Sequence, residues 1–229
     1  MKKAIVLTLL LGMALASCNT ASKTPKSEMD SVAYAFSAMQ FGPHIAYLDS
    51  TENLSVDMIV AAIYDAVGGK SKMTPEEAQE FMNEYFSVRL PAKNLKEAEA
   101  FLAENEKKPS VEKTESGLLY EIITPGSDVK ATNDADTVVV LYTGTLPNGT
   151  VFDSTASRNN EPATFPLDRV IPAWTEGMKL VGQGGKIKLY AHPNLAYGSQ
   201  GQGQSIAPNQ ALQFEVEILE VKPAVQEAE

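Results

Sequence analysis

The sequence predicts an α+β protein, with an all-α N-terminal half followed by an antiparallel β-sheet that carries one short helix. Two observations predict this class. Apolar residues recur at helical spacing up to about residue 107, and after residue 116 the pattern changes to short, alternating strands. The C-terminal part contains a single helical pattern, which is too little helix for a series of βαβ units.

The composition of the 229-residue chain excludes several classes of protein. With 44% hydrophobic and 21% charged residues it is globular, and its net charge of −10 argues against a nucleic-acid partner. The only cysteine is Cys18, which excludes an intramolecular disulfide and a multi-cysteine zinc site. The two histidines, His44 and His192, are too few for a metal cage or a conventional triad. We therefore expect no cofactor and no metal.

The first residues are typical of a bacterial lipoprotein signal peptide, predicted over 1–17. After two lysines, the apolar run from Ala4 to Ala16 is too short to span a membrane as a helix. The following Leu15-Ala16-Ser17-Cys18 resembles the lipobox, in which the cysteine is lipidated and becomes the mature N-terminus. The alternative is an ordinary signal peptide with a coincidental cysteine. With a flexible tether over 18–28, this pattern predicts an envelope lipoprotein whose soluble body lies in the periplasm.

Residues 29–110 are predicted to form a helical domain. Thr74-Pro75-Glu76-Glu77 has the pattern of a capping box with proline in the first turn, so a helix should begin there. We expect this helix to end or kink near Pro91, and another to open at Asn94. Short helices with apolar stripes bury little surface alone, so this domain is predicted to form a homodimer.

The region 111–223 is predicted to be a second domain, followed by a tail over 224–229. A hairpin is indicated by Asn148-Gly149, and a short helix is predicted over 172–181 with proline in its first turn. Strands are predicted over 118–123, 137–142, 151–152, 165–167, 186–191 and 212–221.

Short motifs along this second domain resemble, in order, those of the FKBP-type peptidyl-prolyl cis-trans isomerases. The motifs are Tyr142-Thr143-Gly144, Val151-Phe152-Asp153-Ser154, Val170-Ile171-Pro172-Ala173-Trp174, Glu176-Gly177-Met178, Gly184-Gly185-Lys186, Leu195-Ala196-Tyr197-Gly198 and Phe214-Glu215-Val216-Glu217. The preceding helical stretch resembles the Mip-like group, whose members carry an N-terminal dimerisation domain. The resemblance implies an antiparallel half-barrel wrapped around the one helix, with a proline pocket between them.

The resemblance also implies the residues of that pocket. Trp174 would form its floor, and the Ile171 N–H and the Tyr197 hydroxyl would donate hydrogen bonds. Asp153 would lie at the rim, with Arg158 and Tyr142 as its partners. The full set of predicted site residues is Tyr142, Phe152, Asp153, Val170, Ile171, Trp174, Tyr197, Ile206 and Phe214. Taken singly, each aromatic is explained as well by core packing, and Asp153 as well by a turn-capping role.

Three positions depart from the family pattern. Ala163 stands where an aromatic wall is common, Ala173 replaces a glycine, and Ser205 replaces an apolar residue, so a wider pocket with weaker macrolide binding is expected. The predicted function is rotation about X-Pro bonds of unfolded or partly folded envelope proteins. Two alternatives are a weakly active proline-binding chaperone and a purely structural envelope lipoprotein.

Overall fold

The computed structural model of the chain describes residues 24–40, 42, 55–203 and 205–224. The predicted signal peptide, Cys18 and His44 lie outside these residues. The chain divides into two units, Met1–Ser55 and Val56–Glu229. Within the described ranges, no helix is both long and apolar enough to cross a membrane.

The first unit contains helix α1 (Glu28–Gln40). A reciprocal cap starts it: the Asp30 N–H donates to the Ser27 hydroxyl over 3.0 Å, and the Ser27 N–H donates to the Asp30 carboxylate over 3.1 Å. The large apolar side chains of α1 are exposed; they are Met29, Val32, Tyr34, Phe36 and Met39.

Two further helices open the second unit, α2 (Val56–Val67) and α3 (Pro75–Glu84). The capping box predicted at Thr74 is confirmed, because its side chain accepts from the Glu77 N–H while the Glu77 carboxylate accepts from the Thr74 N–H. Neither helix contains a buried residue. Local sequence signals therefore set their ends, and neither helix packs into a core formed by the described residues.

Of the two outcomes predicted near Pro91, an end or a kink, the end is wrong, because the helix continues through an irregular turn just before the proline. A π-helical turn, Tyr85–Arg89, joins α3 directly to helix α4 (Leu90–Asn105). Proline has no N–H to donate and its ring crowds the preceding turn, so the helix widens for one turn and then continues. Asn94 consequently lies inside α4 and does not cap a new helix.

Seven antiparallel strands form one sheet in the order β1-β2-β6-β7-β3-β4, and β5 pairs with the remaining part of β3. The Asn148-Gly149 hairpin between β3 and β4 is confirmed, with Gly149 at a φ of +85°. The strands are β1 (Glu112–Lys113), β2 (Leu119–Thr124), β3 (Thr137–Thr145), β4 (Val151–Ser154), β5 (Ala163–Pro166), β6 (Lys186–Ala191) and β7 (Leu212–Lys222). This architecture confirms the predicted α+β class with an FKBP-like sheet.

One face of the sheet packs on helix α5 (Pro172–Gly177), which is shorter than the predicted 172–181. Buried and partly exposed residues alternate along β3 and β7, as expected for strands with one face on the core. Gly177 lets α5 approach β6, because a Cβ atom there would lie 2.6 Å from the Leu189 side chain. The helix thereby holds Trp174 against the sheet.

The other face of the sheet receives α4. Leu102 packs on Leu119 of β2 and Tyr190 of β6, and the rings of Phe101 and Tyr190 lie 6.0 Å apart. Leu119 follows a residue of the main core, so the period of two places it on the opposite face. The buried residues of α4 follow a helical stripe; they are Leu90, Asn94, Ala98, Leu102 and Asn105. The predicted domain boundary at 110/111 thus separates a helix from the sheet on which it packs.

Candidate active site

A cavity of about 550 Å³ opens between the sheet and α5. It contains every predicted site residue except Ile206, which is buried in the adjoining core. The lining residues are Tyr142, Phe152, Asp153, Phe165, Arg169, Val170, Ile171, Pro172, Trp174, Ala196, Tyr197, Gln202 and Phe214. A larger depression along α3 is lined by one helix only and has no convergent groups. The cavity on α5 is therefore the candidate site.

Trp174 is the centre of the apolar part of the cavity. Three rings meet the indole edge to face, with centroid distances of 5.1 Å for Tyr142, 5.3 Å for Phe165 and 5.5 Å for Phe214. Such T-shaped pairs are favoured by the aromatic quadrupole and hold each ring in one orientation. The indole is 4% exposed. The result is a rigid aromatic floor with little freedom to collapse.

Phe152 forms a wall of the cavity, and a glycine on the neighbouring strand makes room for it. Phe152 packs edge to face on Phe214 at 5.6 Å. A Cβ atom on Gly144 of β3 would lie 2.5 Å from the Phe152 ring. The glycine of the Tyr142-Thr143-Gly144 motif is thus required by a close approach of the aromatic wall.

A hydrogen-bonded triad occupies the polar rim. The Tyr142 hydroxyl donates to one oxygen of the Asp153 carboxylate, and Arg158 donates to the other over 2.8 Å. Arg158 also donates to the Tyr142 hydroxyl over 3.0 Å, which closes the triad. These are the two partners expected for Asp153 from the sequence. They hold the carboxylate at the mouth of the cavity.

The rim groups keep fixed charges near neutral pH. Burial alone would raise the pKa of Asp153, but the hydrogen bonds from Tyr142 and Arg158 outweigh it, so the pKa lies below its ordinary value. Burial raises the pKa of Tyr142, and the bond to Asp153 adds to this effect. Burial, then the nearby Asp153 charge, raises the pKa of Tyr197. Asp153 is therefore an anion at neutral pH, and both phenols are neutral.

Three donors have no acceptor among the residues that the structure describes. The Trp174 indole nitrogen is buried without a partner, and the Tyr197 hydroxyl and the Ile171 N–H make no hydrogen bond within the same ranges. A buried donor without a partner is costly to leave unsatisfied. Tyr197 and Ile171 line the cavity, so their donors are available to a bound carbonyl.

Five lining residues were not predicted from the sequence: Phe165, Arg169, Pro172, Ala196 and Gln202. The sequence pattern could have indicated Phe165. It lies two residues after Ala163 on β5, so both share a face, and its ring packs edge to face on Trp174. Arg169 ends a short 3-10 turn and Gln202 lies in a loop, and neither segment has a periodicity that indicates side-chain direction. Phe165 adds an aromatic ring to the lining, and the wider pocket expected from Ala163 stays a prediction.

The cavity offers no metal site. No group of three His, Cys, Asp or Glu side chains in the described ranges could hold a metal ion. His192, the one histidine among them, caps the short turn after β6 through the Asn194 N–H and does not line the cavity.

Comparison with known proteins gives the same assignment for both halves of the chain. Residues 129–219 match the family model described as FKBP-type peptidyl-prolyl cis-trans isomerase, and residues 29–122 match that of the domain amino-terminal to it. The second match continues through α4 into β2, in keeping with the packing of that helix on the sheet.

Individual relatives cover nearly the whole chain. FkpA of Aeromonas hydrophila, an FKBP-type peptidyl-prolyl cis-trans isomerase, is 38% identical over 91% of this chain and 84% of its own length. The outer membrane protein MIP of Legionella longbeachae is 32% identical over 98% of this chain and 100% of its own. The crystal structure of FkpA from Escherichia coli aligns with a TM-score of 0.58 at 35% identity, covering 88% of this chain and all of that one. With its sheet, central helix and aromatic cavity, this chain belongs to the FKBP-type peptidyl-prolyl cis-trans isomerases.

Proposed function

We propose that the cavity on α5 binds the proline ring of an X-Pro segment and favours the twisted amide over both planar forms. One observation carries this proposal: four aromatic residues form a rigid apolar site, and unpaired donors lie beside it. The predicted site residues act here as binding groups for the reacting segment. Ile206 supports the cavity from the core and does not line it.

The reaction needs neither a nucleophile nor a metal. Rotation about an X-Pro bond disrupts amide resonance without breaking a covalent bond, and its barrier is about 18–20 kcal/mol. A site that binds the twisted amide about 5 kcal/mol better than the planar amide accelerates rotation several thousand-fold. Removing water from the carbonyl oxygen disfavours the charge-separated planar form, and the apolar walls around Trp174 do so.

The polar groups orient the segment. The Ile171 N–H and the Tyr197 hydroxyl donate to substrate carbonyls on either side of the proline. The Asp153 carboxylate, held by Tyr142 and Arg158, faces the amide carbon as the amide oxygen rotates out of the plane. Its negative charge is fixed before the substrate arrives, so little reorganisation accompanies the rotation.

The test measures binding and catalysis separately. Trp174 is the only tryptophan of the chain, so its emission reports this site alone. We expect a short X-Pro peptide to change that emission, and the same peptide with alanine in place of proline to leave it unchanged. A chymotrypsin-coupled assay on the X-Pro peptide should show catalysed isomerisation. A fluorescence change without catalysis would favour the proline-binding chaperone.

We further propose macrolides as ligands of this cavity, with weakened affinity. Ala163, Ala173 and Ser205 are the departures that weaken it, while Phe165 contributes an aromatic ring to the lining. Rapamycin should compete with the X-Pro peptide in the fluorescence titration, and failure to compete at saturating concentration would contradict the proposal.

For the location, we propose an envelope protein anchored by lipid on Cys18. The support is the lipobox-like Leu15-Ala16-Ser17-Cys18 after a short apolar run. A relative over the full chain is named an outer membrane protein. Cys18→Ala should release the protein into the soluble fraction of lysed cells with unchanged peptide isomerase activity. Membrane retention of that variant would contradict the anchor.

We also propose that the helices before α4 form a homodimer whose two sites serve one folding client. The support is the apolar surface that α2 leaves exposed; its members include Val56, Met58, Ile63, Tyr64 and Val67. A second copy of the same helices offers a matching surface. Two tethered sites raise the effective concentration of pocket near a protein client, by tens to hundreds of fold. A short peptide gains nothing from this tethering.

A further inference from the structure

One wall of the cavity is a loop, here called the rim loop, of residues 197–211, in which Gln204 lies outside the described residues. The rim loop carries two of the lining residues, Tyr197 and Gln202. Gly198, Gly201 and Gly203 all adopt positive φ. Glycine in such positions loses much conformational entropy on ordering, so this loop needs contacts that fix its backbone.

Two sets of backbone hydrogen bonds join residues within the rim loop. The Gln202 N–H donates to the Ile206 carbonyl over 2.8 Å, and the Ile206 N–H returns a bond of 3.2 Å. The Asn209 N–H donates to the Gly198 carbonyl over 2.8 Å. Gly198 directly follows Tyr197, so the position of Asn209 bears on that of the Tyr197 ring.

Helix α4 holds the far end of the rim loop through a reciprocal pair of asparagines. The Asn94 amide donates to the Pro208 carbonyl over 2.9 Å, and the Asn209 amide donates to the Pro91 carbonyl over 3.3 Å. Asn94 is 4% exposed, although it lies in mid-helix, where asparagine is an unfavourable residue. Its amide therefore donates a hydrogen bond to a carbonyl that lies 114 residues away along the chain.

From this chain of contacts we propose that α4 is a brace for the proline site, and that Asn94 and Asn209 are positioning residues that set the place of Tyr197. The path runs from Asn94 to Pro208, through Asn209 to Gly198, and so to Tyr197. This inference rests on the proposed role of Tyr197 as a donor to the substrate. It assigns part of the catalytic geometry to the helix that links the N-terminal region to the sheet.

A matched control lies on the same helix. Asn105 is also 4% exposed, but its amide donates to the Phe101 carbonyl one turn back, and its oxygen accepts from Lys108. Asn105 has the same residue type, helix and burial, and no bond to the rim loop. Comparing variants of the two asparagines therefore distinguishes a brace for the rim loop from a general requirement for a buried amide in α4.

The experiment compares Asn94→Asp with Asn105→Asp in the full chain. Aspartate keeps the shape of asparagine and removes its donor, which leaves the Pro208 carbonyl facing a carboxylate. We expect Asn94→Asp to lower kcat/KM on a short X-Pro peptide by about 3- to 10-fold, mainly through a higher KM, because the donor of Tyr197 is misplaced. Amide exchange at Asn209 should accelerate in the same variant. Asn105→Asp should change neither quantity.

A second variant tests the brace from its other end and covers the case in which Asn94→Asp does not fold. Asn209→Asp keeps the side-chain shape, tolerates the positive φ of 58° at that position and removes the amide donor to Pro91. We expect a similar rise in KM. The double variant should lose less than the product of the single losses, because both act on one loop.

The outcomes separate this inference from the assignment of the site. If the unmodified chain shows no isomerase activity, the proposed function fails. If the unmodified chain is active and both asparagine variants of the brace keep its KM while only their melting temperatures fall, these residues are structural and the brace is refuted. Equal KM changes in Asn94→Asp and Asn105→Asp would refute it as well.

Discussion

The helices before α4 and the half-barrel after it use similar apolar residues in opposite ways. In α2 and α3 no residue is buried, and Val67 is 85% exposed. In the sheet, by contrast, Val138, Val140 and Ile218 are fully buried. Apolar periodicity thus predicts a face in both regions, but only the half-barrel supplies a second layer to cover it. The half-barrel covers its apolar face within one chain, whereas α2 and α3 bury none of theirs among the described residues.

Helix α4 belongs to neither description. In sequence it follows the exposed helices α1 to α3. Its own buried residues, however, pack on the sheet and hold the rim loop. The division at 110/111 that the sequence predicts is therefore a poor place to cut the protein. The predictions below test where the division between self-contained and partner-dependent structure lies.

The largest effect is expected from removing α4. A chain that begins at Val111 loses the cover over Leu119 and Tyr190, and we expect its unfolding free energy to fall by about 3–5 kcal/mol. A chain that begins at Tyr85 keeps α4, and its unfolding free energy should stay within about 1 kcal/mol of the full chain. Urea denaturation of dilute protein measures both. Equal losses would mean that α1 to α3 support the half-barrel directly.

The next largest effect is expected from Asp136, directly before β3, whose hydrogen bonds all lie within the half-barrel. The buried Asp136 carboxylate accepts from the N–H groups of Thr132, Asn133 and Ala224 at 2.8–2.9 Å. Asp136→Ala should lower the unfolding free energy by about 2–4 kcal/mol at neutral pH. Asp134→Ala, which removes an exposed ion pair with Lys179, should cost less than about 1 kcal/mol.

This stabilisation by Asp136 should vanish in acid. The hydrogen bond from Ala224, followed by that from Asn133, holds the pKa of Asp136 below its ordinary 3.8. A lowered pKa in the folded state contributes stability that is complete above 3.8 and is lost as the pH falls through the folded value. The difference between Asp136→Ala and the unmodified chain should therefore shrink below that pH. A constant difference would contradict the role of the charge.

A smaller effect is expected at the rim of the cavity. Tyr197→Phe removes the free donor and Asp153→Val removes the anion at the mouth, and each should lower kcat/KM on an X-Pro peptide by about 5- to 20-fold. Both groups are partly exposed, so thermal unfolding should change little. Thr150→Val, at the exposed tip of the β3–β4 hairpin, is the control. Full turnover by both folded variants would refute the polar roles.

The smallest effect on peptide turnover should come from the exposed face of α2. Ile63→Glu places a charge in the apolar stripe, and we expect light scattering to show a dimer for the unmodified chain and a monomer for this variant. Peptide kcat/KM should stay within about twofold, while catalysed refolding of a proline-limited protein falls more strongly. Ser71→Glu adds the same charge outside the stripe and should leave the dimer intact. A loss of peptide activity in Ile63→Glu would contradict the separation of the two regions.

Local signals in the sequence account for much of this architecture. The capping box at Thr74, the Asn148-Gly149 hairpin and the alternation along β7 each depend on residues a few positions apart, and the structure confirms all three. The ordered family motifs also located the cavity, since they record residues that the fold brings together. The interactions that determine such elements are short in sequence, so the pattern alone is sufficient.

Tertiary packing decided the rest. Pro91 predicts a helix end or kink, but packing of α4 on the sheet favours a continued helix, and a π-helical turn absorbs the missing N–H. Asn94 has the local signature of a cap, yet it is buried and bonded to Pro208. Whether α4 belonged with the helices or with the site depended on contacts more than a hundred residues apart in sequence, which neither periodicity nor propensity encodes. The sequence determined most of the elements and most of the residues that line the cavity, and the tertiary structure determined which helix holds the rim loop, because only packing brings such distant residues together.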